Sequence, residues 1–173
     1  PCGDGTKPVC DAVFDPAATL LGDAQEAWLK ESLDKSSARW NIVANQVLMA
    51  HIDRRPGPEE AFSMDQWSGY EVCRDRVLRF LAERQPSNPI VITGDIHSNW
   101  VNDLKTNFDK PEEPTVATEF VGTSISSGGS AREMSERVPQ LLSENPFVKF
   151  QNSERGYVSC TITPKQWRSD YRV

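Results

Sequence analysis

The stretch Gly94-Asp95-Ile96-His97-Ser98-Asn99-Trp100 places a carboxylate and an imidazole two residues apart, directly after the apolar run Ile90-Val91-Ile92-Thr93. In open α/β sheets, ligands gather beyond the carboxyl ends of strands, where short loops aim several polar groups at one point. Alternate spacing in an extended turn directs both side chains toward one side. An Asp beside a His suits zinc or a transition metal, and the Asp alone would suit calcium, which takes oxygen ligands. The competing reading makes Asp95 a turn cap and His97 a hydrogen-bonded residue beside the core, and so short a motif does not separate the two. Asn45 and Gln46, at the exit of an earlier apolar run, either approach the same site or satisfy nearby backbone groups. Trp67, Tyr70 and Trp100 are candidate pocket walls, although large aromatics more often pack a core. No residue is assigned a catalytic role.

The elements that must position these groups follow from periodicity. After an irregular first 19 residues, Gly22-Asp23 starts a helix reaching about Ser36, with Ala24, Trp28, Leu29 and Leu33 on one face. Residues 41–50, rich in branched side chains, read as a buried strand and its exit. His51 to Met64 carries Pro56, Gly57, Pro58 and a charge cluster, so a surface loop is expected, with His51 exposed in it. Ser68 is placed to cap a second helix running to about Arg84, with Tyr70, Cys73, Val77, Phe80 and Leu81 inward and Arg74, Asp75, Arg79 and Glu83 outward. Ile90 to Thr93 and Thr115 to Ser126 read as strands, the second followed by a flexible Ser127-Gly128-Gly129. A capping box at Ser130 to Glu133 opens a short helix that Pro139 should end or kink. Alternation over 156–163 and 167–173 predicts an antiparallel hairpin. Helix-then-strand order, twice repeated, favours an α/β layer fold with no internal domain boundary.

Composition narrows the function classes. The 173 residues, 38% of them hydrophobic, suffice for one ordinary core. A net charge of −6 gives no strong nucleic-acid signal, since such binding is driven by phosphate neutralisation. No run approaches the roughly 18 apolar residues of a transmembrane segment. Cys2 and Cys10 bracket a Gly- and Pro-containing loop that a disulfide could close, but reduced thiols or half of a metal site are equally open readings. Cys73 and Cys160 lie in apolar periodic segments and read as buried small hydrophobes.

Six segments taken together resemble the alkaline phosphatase D (PhoD) family of metallophosphoesterases. They are residues 21–29 (Leu-Gly-Asp-Ala-Gln-Glu-Ala-Trp-Leu), Arg39-Trp40-Asn41 with Asn45-Gln46-Val47, residues 65–70 (Asp-Gln-Trp-Ser-Gly-Tyr), Gly94-Asp95-Ile96-His97, Thr118-Glu119-Phe120-Val121, and Arg155-Gly156-Tyr157-Val158. The resemblance spans nearly the whole chain and implies part of an αββα sandwich, two mixed sheets between helical layers, to which the antiparallel hairpin read from alternation adds the C-terminal end. It further implies hydrolysis of phosphate monoesters or diesters at a multinuclear metal centre of iron and calcium, other divalent cations being possible. Asp95 and His97 match the family's late metal motif and inherit a ligand role. The wider superfamily usually has His at the position of Asp95, and the Asp favours a harder, oxygen-binding cation. His51 inherits no role, and Phe147 stands where the family pattern leads us to expect His. Family members are generally exported, which favours the Cys2–Cys10 disulfide and a secreted, periplasmic or cell-surface location.

Superfamily members draw most metal ligands from earlier motifs, among them Gly-Asp-any-any-Asp and Gly-Asn-His-Glu, and neither occurs here. We therefore expect residues 1–173 to be the C-terminal portion of one PhoD-like domain. A missing N-terminal half would supply the remaining ligands, and the isolated chain would be inactive. A second class of function is a noncatalytic carbohydrate- or protein-binding module on a phosphatase-like half fold, for which the terminal hairpin and five tryptophans would serve as a surface.

Overall fold

A computed structural model describes residues 1–55, 57–127 and 131–173, without the side chains of 131–136, so the readings at Pro56, at Gly128-Gly129 and for the capping box at Ser130 lie outside the described residues. In chain order the elements are β1 (Thr6–Lys7), α1 (Asp23–Asp34), β2 (Asn41–Ala44), β3 (Phe62–Ser63), α2 (Glu71–Arg84), β4 (Pro89–Thr93) and β5 (Asn99–Leu104), then β6 (Ala117–Val121), α3 (Ala131–Glu144), β7 (Val148–Asn152), β8 (Tyr157–Ile162) and β9 (Trp167–Arg172).

Short strands of branched residues pair in parallel where helices cover them, because buried strands tolerate apolar side chains on both faces. β2, β4 and β6 are parallel, β5 is antiparallel to β6 and to β7, and the sheet order is β2-β4-β6-β5-β7. Val91, Glu119 and Asn102 share one face by register and are all buried there. On the other face Ile92, Phe120 and Val101 fall in register, and the β8–β9 hairpin lies against them. Trp167 stacks on Phe120 at 6.0 Å, Tyr171 meets Phe150 at 5.0 Å, and the Tyr171 hydroxyl donates to the Trp100 carbonyl at 2.6 Å. The expected hairpin forms, with a register running from Tyr157 opposite Arg172 to Ile162 opposite Trp167. Two mixed sheets were expected; the described residues form one mixed sheet and two small antiparallel ribbons.

Several expectations are corrected, most of them by a tertiary contact. Trp28 is 62% exposed, whereas Glu26 is buried between Lys30 (2.6 Å) and Arg76 of α2 (2.7 Å). That ion pair sets the phase of α1, and residues two apart on a helix point about 200° apart, so Trp28 faces away. Ser68 does not cap α2. It sits buried in a 3-10 turn, Trp67–Gly69, and its hydroxyl pairs with His51 Nδ1 at 3.0 Å. Arg74 is buried rather than solvated, its guanidinium 5.4 Å from the Phe108 ring that covers this side of the helix. The segment expected as a surface loop buries Ala61 to Met64, because β3 pairs with β1 inside the part expected to be irregular. Cys160 is exposed, although its register partner Ser169 lies between Trp167 and Tyr171 on the face turned to the sheet. α3 runs through Pro139 to Glu144, losing one backbone donor without ending, and its Leu141 joins the core. Cys2 and Cys10 are joined by a disulfide, and Cys73 is buried as expected.

Candidate functional site

β4 ends at Thr93, and Gly94 to His97 then turn sharply at the carboxyl end of the parallel strands, with Ile96 N donating to Gly94 O at 2.9 Å. The turn is not extended, as the spacing had suggested. Asp95 (φ 70°) and His97 (φ 57°) both occupy the left-handed region. Short polar side chains tolerate that region best, yet holding non-glycine residues there costs about 1–3 kcal/mol each, a strain that clusters at functional sites. Both side chains are exposed.

The surroundings bind this turn to the neighbouring strands. Gln66 Nε2 donates to Asp95 Oδ2 at 3.4 Å, and Arg155 Nη1 reaches the His97 carbonyl at 3.5 Å. Asn45 N donates to Ile92 O at 2.9 Å, bringing the exit of β2 beside the end of β4. The Asn45 side chain is itself engaged, accepting from Trp67 Nε1 at 3.1 Å and donating to the Val47 carbonyl, which matches the backbone-satisfying reading of this amide. Gln46 is exposed next to it. Trp67 and Trp100 are 1% and 0% exposed and belong to the core, as Tyr70 does in part.

Two features were missed. Glu119 is fully buried on β6 and accepts four hydrogen bonds from β4, β5 and the segment after β2. Its signals were an acid within a strand segment and its place in the motif Thr118 to Val121. Burial raises its pKa, while the donors at Met49, Asn102, Ala50 and Thr93 oppose that rise. Arg155, the second, was visible only as part of a motif.

His51 is far from the exposed loop residue expected of it. It stacks on Phe62 with centroids 3.8 Å apart, and desolvation, with the Arg74 charge adding to it, lowers its pKa to about 2. It lines a cavity of about 520 Å³ with Asp53, Phe62, Phe108 and Phe147 and a neighbouring one of about 270 Å³ with Arg74; neither Asp95 nor His97 lines either. Phe147 is buried, its ring edge-on to Phe108 at 4.8 Å.

Asp95 and His97 have the donor types of a metal centre. Among the described residues, however, no group of three or more His, Cys, Asp and Glu is placed to hold an ion. The pair fits as a fraction of a ligand set, since multinuclear centres need more donors than two.

The PhoD-like phosphatase family model matches residues 2–171. The chain belongs to the PhoD-like phosphatase family. It is 43% identical over 170 residues to alkaline phosphatase D of Bacillus subtilis (strain 168), covering 98% of this chain and 29% of that protein. A solved structure, described as the structure of PhoD, superposes with a TM-score of 0.89 at 42% identity over 98% of this chain and 33% of the other. The fold is thus metallophosphoesterase-like, as the PhoD resemblance implied. The chain spans about a third of the length of the relatives it matches.

Proposed function

We propose that the complete protein, of which this chain forms the C-terminal part, hydrolyses phosphate monoesters, diesters or both at a metal centre to which Asp95 and His97 contribute. The supporting observation is the strained, exposed turn bearing both residues at the carboxyl end of β4, in a chain 43% identical to a protein named alkaline phosphatase D. Iron with calcium is the metal pair we favour, because the family resemblance points to it and an Asp with a His offers donors to both kinds of cation. Such a centre, when bound, supplies positive charge beside the phosphoryl oxygens and a water of lowered pKa. This chain's residues hold the turn in place through the Asn45–Ile92 and Gln66–Asp95 contacts and leave both donors open to solvent. The remaining donors come from the preceding part of the protein. The Cys2–Cys10 disulfide supports an exported location. No helix among the described residues is long and apolar enough to cross a membrane.

The test assays the complete protein and residues 1–173 against an aryl phosphate and a bis-aryl phosphate, with metal content measured on the same samples. Turnover with bound iron and calcium in the complete protein, and neither in the shorter chain, is the expected result. A metal-free complete protein that turns over neither ester would overturn the reading and favour the binding-module alternative. Turnover of about 1 s⁻¹ by residues 1–173 alone, a rate ordinary for enzymes, would overturn the assignment of the missing ligands.

A further inference from the structure

We propose that Glu119 is a positioning residue for this site, a buried carboxylate that fixes the segment leaving β2 against the end of β4. This rests on the reading of the Asp95–His97 turn as the working part of the chain.

Oε1 accepts from Met49 N at 2.7 Å and from the Thr93 hydroxyl at 2.9 Å. Oε2 accepts from Ala50 N at 3.1 Å and from Asn102 Nδ2 at 2.9 Å. Four donors match the roughly four lone-pair sites of an ionised carboxylate, so every acceptor position is used. A protonated carboxyl would turn a hydrogen toward donors.

The identity of the donors points to positioning. Met49 and Ala50 are 1% and 0% exposed and lie outside any strand, so without Glu119 their amides would be buried and unpaired. They close the segment that begins at Asn45 and carries Gln46. Thr93 is the last residue of β4, two before Asp95, and its carbonyl is held by Gly122 N at 2.9 Å. Asn102 sits opposite Glu119 across the β5–β6 pair, which keeps the carboxylate from swinging along the strand. One side chain thus sets both the height of the β2 exit and the rotamer of the residue that launches the turn. The backbone reinforces the same junction through Asn45 N to Ile92 O and Trp67 N to Leu48 O at 3.3 Å.

The test uses the complete protein with three variants. Glu119→Gln keeps the shape but turns a donor amide toward N–H groups. Thr93→Val removes only the link to the end of β4. Leu104→Ala opens the core at the opposite end of the sheet, where Leu104 pairs with Ala117, and serves as the control for lost stability alone. The readouts are melting temperature, kcat and KM for an aryl phosphate, and amide hydrogen exchange over 45–50 and 93–97.

For Glu119→Gln we expect exchange at Met49 and Ala50 to quicken about tenfold or more. We also expect kcat to fall roughly tenfold to a hundredfold, with KM within about threefold. Thr93→Val should lower kcat while leaving Met49 and Ala50 protected, and Leu104→Ala should lower the melting temperature with kcat kept. Unchanged exchange over 45–50 in Glu119→Gln overturns the proposal, as does a kcat loss no greater than that of Leu104→Ala at equal loss of melting temperature. Should Glu119→Gln not fold, Thr93→Val decides alone, and normal kcat in it overturns the proposal. Exchange is read whether or not the protein turns over phosphate esters, so failure of the phosphatase reading is seen separately, as absent turnover in the unaltered protein.

Discussion

His51 and His97 carry the same imidazole in opposite surroundings. His97 stands exposed on a left-handed turn beyond a parallel strand, beside an equally exposed carboxylate. His51 lies stacked on Phe62, bonded to Ser68 and pressed by the nearby Arg74 charge, so that it stays neutral far into acid. Binding a cation needs a nitrogen lone pair open to an approaching ion, and the first region offers that. The second spends its imidazole on packing and a hydrogen bond. Accessibility separates a candidate ligand from a structural residue here, and residue type does not.

The largest expected effect tests the open side of this contrast. Asp95→Asn and His97→Ala in the complete protein should each lower phosphoester turnover by at least about a hundredfold, with metal occupancy falling in parallel. Both side chains are exposed, so the melting temperature should hardly move. Normal metal content with full turnover in both variants would remove the ligand assignment.

On the buried side, the Cys2–Cys10 disulfide clamps a small cluster in which Cys2, Val9 and Cys10 pack on Val13, Phe62 and Met64, behind the ring that stacks on His51. Replacing both cysteines by Ser should cost about 2.5 kcal/mol of stability on the chain-entropy estimate for so short a loop, with KM unchanged. Denaturant titration measures the first and steady-state kinetics the second. A change in KM without loss of stability would mean that the two regions are coupled.

Acid should expose His51 next. Its folded pKa is about 2 against an ordinary 6.5, so between those values the unfolded chain binds the extra proton. Stability from this residue is therefore complete above about pH 6.5 and declines as the pH falls, by at most about 2 kcal/mol at pH 5. Glu26, held near 2 by Arg76 against burial, adds its own loss only below about pH 4.5. His51→Gln should flatten the melting temperature between pH 7 and 5 relative to the unaltered protein. An equally steep fall in the variant would place the acid sensitivity elsewhere.

The smallest effects complete the contrast. His51→Gln at pH 8 should keep turnover within about threefold, because the residue packs and does not face the turn. Trp28→Ala should change stability by no more than about 0.5 kcal/mol, as for exposed surface positions generally.

Local pattern alone located the α1, α2 and β4 segments, the β8–β9 hairpin and the Asp95–His97 turn, because periodicity and turn residues are written in neighbouring positions. The family was legible for a related reason, as six short motifs keep their order along one chain. Long-range pairing was not legible. β5 and β7 were overlooked since Asn99, Asn102 and Gln151 look like loop residues until partners across the sheet and the core cover them. Ser68 read as a cap and Arg74 as a solvated charge until His51 and Phe108 were brought against them. Trp28 read as core until Glu26 and Arg76 set the rotation of α1. Glu119 shows the limit most sharply. Its four donors come from residues 17 to 70 positions away, so only the folded chain determines that this carboxylate ties the strand ends together.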